Sequence, residues 1–556
     1  MMSISEIPFP EILDSEVVEW LVSDRFLFSN EIRRREAVLE ILGAIAKRSP
    51  GAFTEAVMRS CRSDIQRRMD CRSVFRRDDR AETSTEASIG YPDAEGWGSL
   101  ETSVKAFRTV LQCTAVVESS VWKETEHIVQ RLVVHTNRFV REHGQLCLAE
   151  LIRIAGGEYN EAGFLRLFSH ISAGLQDNWS QVRYTSLTAS RSAFREVQRR
   201  KVDLLVLESI VPHILINRHY VAEGVRRYAQ ETWLLLVGPQ GGVPILANWS
   251  CSIISCLNDA MQSLNHSVRE AAASCLSEIL SKVLPELDPI DLGSEKITTI
   301  LSICISGLED DSWTVREMGV KCCLVLYQTT LPRLGPAPYD VLFSRIEYIV
   351  SLLLQDVFDP MLPLRQHSSE CLGFMISLRE NRFPNPKSWS HTLSILREKI
   401  LTYLSYEESL ESYSSAPAKN RFTSHENRPM YSCGTLTTNT SIRRIQHSTS
   451  DDCCAGGSCN ISVDSQPWDI CDGAIRLYGA ILRSELLSCD HAIELNNVCL
   501  PLIASVVMKP SRRKYANIMK TARTVFDGLT FELSSLSVDA ATGVQNISEQ
   551  IKAHTG

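Results

Sequence analysis

A run of apolar residues long enough to cross a bilayer is missing from this sequence. The longest mostly apolar stretch, Val498 to Met508, falls short of the ~20 residues a spanning helix needs and carries Pro501. The start, MMSISEIPFPEILDSEVVEW, has Glu6, Glu11 and Asp14 but no basic opening and no continuous apolar run, so neither a secretory signal nor an Arg-rich transit peptide is expected. An excess of positive charge is missing as well. With 58 Lys+Arg against 66 Asp+Glu, the net charge of -8 gives no general pull toward phosphate backbones or anionic membrane surfaces. Nucleic acid and a membrane span are therefore not expected, other proteins are the expected partners, and the cytoplasm is the expected compartment.

The signatures of common catalytic sites are absent too. There is no G-x-x-x-x-G-K-[ST] phosphate loop, no H-E-x-x-H helix, no G-x-S-x-G turn, and no strand-like stretch where a Gly-rich dinucleotide fingerprint could sit. No catalytic residue, cofactor or metal is expected, and the chain reads as a non-enzyme. Cysteine, by contrast, is plentiful. Many of the 18 fall inside helical patterns beside Leu, Val and Ala, where free Cys acts as a small buried hydrophobe in a reducing compartment. With 44% apolar and 22% charged residues over 556 positions, the chain can bury a large core, and periodicity has to say how.

One phrase recurs, a Val-Arg pair opening an amphipathic helix. It appears as FVREHGQLCLAELI, QVRYTSLTASRSAF, GVRRYAQETWLLLV, SVREAAASCLSEIL, TVREMGVKCCLVLY and, with Leu for Val, PLRQHSSECLGFMI. Its arginines, Arg141, Arg183, Arg226, Arg269, Arg316 and Arg365, are separated by 42, 43, 43, 47 and 49 residues, which suits a two-helix repeat with small late insertions. Aligned on the arginine, the preceding residue is Val140, Val182, Val225, Val268, Val315 or Leu364. Offset +3 holds Gly144, Ser186, Ala229, Ala272, Gly319 and Ser368, and offset +6 holds Cys147, Ala189, Thr232, Cys275, Cys322 and Cys371, all small. Offset +10 holds Leu151, Ala193, Leu236, Ile279, Leu326 and Met375, so the four columns trace one face of a helix. A second apolar segment precedes most phrases, at Phe164 to Gly174, Leu204 to Leu215, Ile253 to Leu264, Ile297 to Leu308 and Phe343 to Gln355, and supplies the first helix of each hairpin.

These phrases resemble HEAT repeats across Thr102 to Ser377. DNWSQVR, NRHYVAEGVRRYAQETW, MYSCGTL and QPWDICDG are similar to one widespread eukaryotic HEAT subfamily of unassigned role. The resemblance implies an all-α, right-handed superhelical solenoid of HEAT/ARM-type hairpins whose concave face holds partner proteins or extended peptides. It also implies a polar ladder between neighbouring repeats, made by the six arginines with Asp177, Asp310 and Asp359, which stand six places before three of them. That is a packing role, not an active site. Trp179 and Trp313, in the turns, are expected to pack across to the next unit rather than to form a binding hot spot. The HEAT-like enzyme deoxyhypusine hydroxylase holds two irons through repeated His-Glu pairs. Here the only such dipeptide is His425-Glu426, in a polar stretch, so that chemistry is not expected. Isolated His143, His266 and His367 read as surface or core residues.

The expected organisation is N-terminal capping helices over 1–70, a polar loop over 71–99, the regular array over 100–405, a disordered Ser/Thr-rich insertion over 406–467, C-terminal capping helices over 468–533 and a frayed tail over 534–556. Cys433, Cys453, Cys454, Cys459 and Cys471 lack a paired C-x-x-C framework, which argues against a zinc knuckle. The basic runs Arg33 to Arg35, Arg199 to Lys201 and Arg512 to Lys514 read as solvated helix ends. The expected function is a non-catalytic protein-binding scaffold or adaptor, and the alternative is a transport receptor or assembly chaperone, karyopherin-like or dynein-arm assembly-like, for transient protein cargo.

Overall fold

A computed structural model of the chain describes residues 31–48, 57–69, 97–113, 119–155, 161–238, 242–283, 293–330, 336–382, 386–412, 467–484 and 488–508, with isolated positions within 20–27 and 521–525 and at 285 and 465. Its regular elements are all helical, and no strand occurs among the described residues. Contacts gather the chain into two units, residues 1–245 and 246–556.

In the first unit Ile32–Arg48, Trp97–Cys113, Arg138–Ala155, Ser180–Arg200 and Glu223–Val237 pack side by side as one layer. Ser119–Val133, Glu161–Leu175 and Val211–Asn217 each precede one of these second helices and pair with it as the first helix of a hairpin. In the second unit the second helices are His266–Lys282, Trp313–Thr330, Leu362–Arg382 and Pro467–Leu482. Their first helices are Ser250–Met261, Ser294–Leu308, Ile346–Asp356 and Pro386–Ser412, and Cys489–Met508 packs against the last of these. Both units are thus stacks of HEAT-type helical hairpins. The single helix expected from Leu204 to Leu215 is broken into a short 3-10 turn, Leu204–Leu207, and Val211–Asn217, with Pro212 in the first turn of the latter. Proline suits that position because its missing N–H would have had no helical partner there.

The columns acquire distinct physical reasons. At Gly144 an added Cβ would sit 2.9 Å from the Leu132 carbonyl carbon, and at Gly319 it would sit 2.7 Å from that of Gly307. Offset +3 is therefore where a second helix crosses the backbone of its own first helix, which leaves no room for a large side chain. Offset +6 faces the preceding second helix instead. Cys322 Sγ donates to the Ala273 carbonyl at 3.0 Å, and Thr232 Oγ1 accepts from Arg191 Nε at 2.9 Å. The residue before the arginine is buried at Val140, Val182, Val225, Val315 and Leu364, while Val268 is half-buried.

The two polar stretches share one location in the repeat. Residues 413–464 fall between the paired helices Pro386–Ser412 and Pro467–Leu482, inside a hairpin rather than between hairpins. Residues 71–96 likewise fall between helix 57–69 and Trp97–Cys113, which are tied by the bond from Ser103 Oγ to Asp64 Oδ2 at 2.6 Å. Both stretches, the tail 534–556, His425-Glu426, Arg512 to Lys514 and Cys433, Cys453, Cys454 and Cys459 lie outside the described residues. Helix Pro386–Ser412 runs on past Tyr406, where composition alone starts the insertion.

Candidate functional site: the arginine edge and the exposed face of the second helices

Along the turn edge, the arginines reach forward to the following hairpin. Arg141 donates from Nε and Nη2 to Asp177 at 2.6 and 3.1 Å, and from Nη1 to the His135 and Thr136 carbonyls at 2.9 and 2.7 Å. Arg269 repeats the pattern on Asp310 at 2.5 and 2.9 Å, with the Ser263 and Leu264 carbonyls at 2.7 and 3.3 Å. Arg316 divides itself between Asp356 at 3.0 Å and Asp359 at 2.7 Å. Each Asp of the sequence column has a second task. Asp177, Asp310 and Asp359 accept at 2.8 Å from the backbone N–H of Trp179, Ser312 and Met361, closing a turn at the head of a second helix.

The other arginines meet different partners. Arg183 finds Tyr220 at the place of the Asp, with its guanidinium 4.2 Å from the ring centroid, and donates to Asn217 Oδ1 at 3.0 Å. Arg365 meets Asp469 at 2.9 Å and Asp472 at 3.1 Å, across the 413–464 stretch. Arg226 is exposed and takes no side-chain hydrogen bond or ion pair among the described residues, and Ser263 stands at the Asp place of the next phrase. Two groups on this edge are electrostatically perturbed. Burial lifts the Asp356 carboxyl to about 7, against the pull of Arg316 and with the push of Asp359. Burial, with the charge of Arg183 added, depresses His213 to about 4.

A second set of residues, on the solvent-facing side of the second helices, was not singled out by periodicity. In the first unit the rings of Tyr184 and Tyr228 stack with centroids 4.5 Å apart, and Tyr184 is 38% exposed. The Arg191 guanidinium lies 3.5 Å from the Tyr228 centroid. It donates to Thr232 Oγ1 at 2.9 Å, to the Tyr228 carbonyl at 3.2 Å and to Glu231 at 2.9 Å, while Thr188 Oγ1 reaches the Tyr228 hydroxyl at 3.4 Å. Tyrosines one and two places after the repeat arginine are the only sequence signal for this surface.

The same face of the second unit is acidic, with half-buried Glu270 and Glu317 and exposed Glu370. His367 Nδ1 lies 3.1 Å from Glu317, which also accepts from Lys321 at 2.8 Å. The first unit holds a parallel arrangement, His143 Nε2 at 3.4 Å from Glu101 with Lys105 at 2.6 Å. Burial pushes Glu101 up, but the bonds from His143 and Lys105 outweigh it and hold the carboxyl at about 2. Two histidines that look isolated in the sequence therefore pair with an acid of the preceding second helix, a contact that spacing within one phrase does not show. His266 stays half-buried at a helix start.

Trp179 receives the Arg138 guanidinium of the preceding second helix 3.6 Å from its ring centroid, and Trp313 is half-buried. Cys471 is a buried free thiol. Arg199 pairs with Glu196 at 2.6 Å, and Arg34 with Glu31 at 3.2 Å. Among the described residues, no group of three or more His, Cys, Asp or Glu is placed to hold a metal, and no helix is long and apolar enough to cross a membrane.

No family model and no curated protein matches the chain. Among solved structures it is similar to Kap95p in a structure of its binding to RanGDP, with TM-score 0.37, 12% identity, and 98% of this chain and 60% of that one covered. It is similar to a chain of the Kap95:Nup1 complex at TM-score 0.33 and 12% identity, over 97% of this chain and 62% of that one. An engineered protein matches at TM-score 0.31 and 11% identity, over 97% of this chain and 99% of that one. The chain spans 60% and 62% of the length of the first two.

Proposed function

We propose that this chain is a protein-binding scaffold or adaptor that receives partner segments on the exposed face of its second helices. The observation that carries this reading is the Tyr184–Tyr228 stack. Two aromatic rings are fixed by an arginine, a threonine and a glutamate, yet Tyr184 remains 38% exposed. Held Tyr and Arg side chains contribute contact area at low entropic cost, which is why such groups dominate binding energy at protein interfaces. Of the repeat arginines, Arg141, Arg183, Arg269, Arg316 and Arg365 are engaged within the fold, so the edge they form supports the surface rather than competing with it.

The reading is tested by placing a photo-crosslinking amino acid at Tyr184, at Glu370 and, as a control, at the exposed Leu165 of a first helix, in the native cell. Protein adducts are expected from the first two positions and not from the third. Adducts from position 165 alone, or none from any position, would overturn it.

A further inference from the structure

We infer that the Tyr184–Tyr228 surface docks an extended, acidic protein segment carrying aromatic or leucine side chains. The inference rests on the protein-binding reading above and commits it to one ligand chemistry.

Two parallel ridges define the surface. On Ser180–Arg200, residues Tyr184, Thr188, Arg191 and Arg195 are spaced by four, three and four, so they line one side of the helix. On Glu223–Val237, Tyr228 and Leu235 are seven residues apart and share a side, with Leu235 50% exposed. The ridge from Tyr184 to Arg195 is about 16 Å long at 1.5 Å per residue, the reach of about five residues of extended chain.

The chemistry of the ridges is graded. One end presents the stacked tyrosines. In the middle Arg191 is already engaged, by the Tyr228 ring and by Glu231 at 2.9 Å. At the far end the Arg195 side chain is exposed and has no hydrogen bond or ion pair among the described residues, while on the neighbouring helix Leu235 is exposed on the side it shares with Tyr228. A ligand that satisfies all three zones offers a flat or branched apolar group to the tyrosines and a carboxylate to Arg195. Charge complementarity selects the acidic peptide over a basic one. With Arg191 already neutralised by Glu231, Arg195 offers one positive charge, which matches a carboxylate rather than the continuous basic track that a polyphosphate such as single-stranded nucleic acid needs. The second unit, with Glu270, Glu317 and Glu370 on the corresponding side, has the opposite sign and is not assigned this ligand.

The test is fluorescence anisotropy on the full chain with a short fluorescein-labelled peptide alternating aspartate with leucine and phenylalanine. Companion probes replace aspartate with lysine or use oligothymidylate. Saturable binding of the acidic peptide is expected, weakened at least about tenfold by Arg195→Glu and by Tyr184→Ala. Arg195→Lys should retain most of it, and Leu165→Asp should leave it unchanged. Both altered side chains are exposed, and unchanged far-UV circular dichroism checks that the variants fold. Absence of acidic-peptide binding, equal affinity in Arg195→Glu, or tighter binding of the lysine peptide or of oligothymidylate overturns the inference. If position 184 still yields protein crosslinks in the cell in that case, the scaffold reading stands and only the ligand chemistry falls.

Discussion

The ladder step from Arg269 to Asp310 offers a measurable contrast with Arg226. Arg269→Ala removes two charge-assisted bonds to Asp310 and two bonds to the Ser263 and Leu264 carbonyls. It leaves behind a carboxylate whose side chain is only 7% exposed. Removing one partner of a buried pair costs about 3–5 kcal/mol. The Arg269 side chain is itself 17% exposed, so water recovers part of that loss, and the lower figure of about 3 kcal/mol applies. Asp310→Ala loses the same pair and also the bond to the Ser312 N–H, a capping contact worth about 1 kcal/mol. In the double variant the orphaned carboxylate is gone, so the cost should fall short of the sum by about 2 kcal/mol. Urea unfolding followed by tryptophan fluorescence measures all three. Arg226→Ala, at an exposed arginine without such partners, should leave the unfolding midpoint where it is. An Arg269→Ala variant that unfolds with wild type, or a cycle that is additive, would refute the coupling.

Asp356 makes stability pH-dependent in a definite direction. Its folded value of about 7 lies above the 3.8 of an unperturbed Asp, so its contribution is full below that unperturbed value and is lost as pH rises through 7. Asp356→Asn should flatten the wild-type loss between pH 5 and pH 8, as read by thermal melts at each pH. His213 works the other way in the first unit. Held at about 4 against 6.5, it costs stability as pH falls below 6.5, and His213→Gln should narrow that acid loss. Gly319→Ala gains about 1 kcal/mol of helix propensity but forces a Cβ to 2.7 Å from the Gly307 carbonyl carbon, so a net loss of about 1–2 kcal/mol is expected in urea unfolding. Replacing 413–464 with a short Gly-Ser linker should leave the thermal midpoint unchanged, because Arg365 keeps Asp469 and Asp472. Asp472→Ala, at a 4% exposed side chain that also holds Arg476 and Thr521, should lower that midpoint by several degrees.

What periodicity made legible is what a helix repeats within itself. The valine, small-residue and +10 columns could be written down from the sequence, because each column meets the same kind of neighbour in every hairpin. Asp177, Asp310 and Asp359 were legible for the same reason, and the structure brings each within bonding distance of the preceding repeat's arginine. The column places Tyr220 where the Asp would stand for Arg183, but it could not show that Asn217 takes over the hydrogen bond, or that Asp469 and Asp472 serve Arg365, since these three residues are not in register with it. The Tyr184–Tyr228 stack was invisible for a further reason. The two tyrosines sit at different offsets from their arginines, and only the lateral packing of two helices brings them to 4.5 Å.

That both polar stretches interrupt a hairpin at the turn, rather than the junction between hairpins, follows from how the repeat is tied. A first and a second helix bury a continuous seam along their length, as at Gly307 and Gly319, so the turn can lengthen with only the slow logarithmic cost of loop closure. The arginine edge is the part that suffers, because its acid normally rides on that turn. At the last described hairpin the acids have moved into the first turns of the second helix, as Asp469 and Asp472, where Arg365 can reach them however long the turn becomes. A shift of the acid from turn to helix is thus the compensation that an insertion at this edge requires, and Asp469 with Asp472 supplies it.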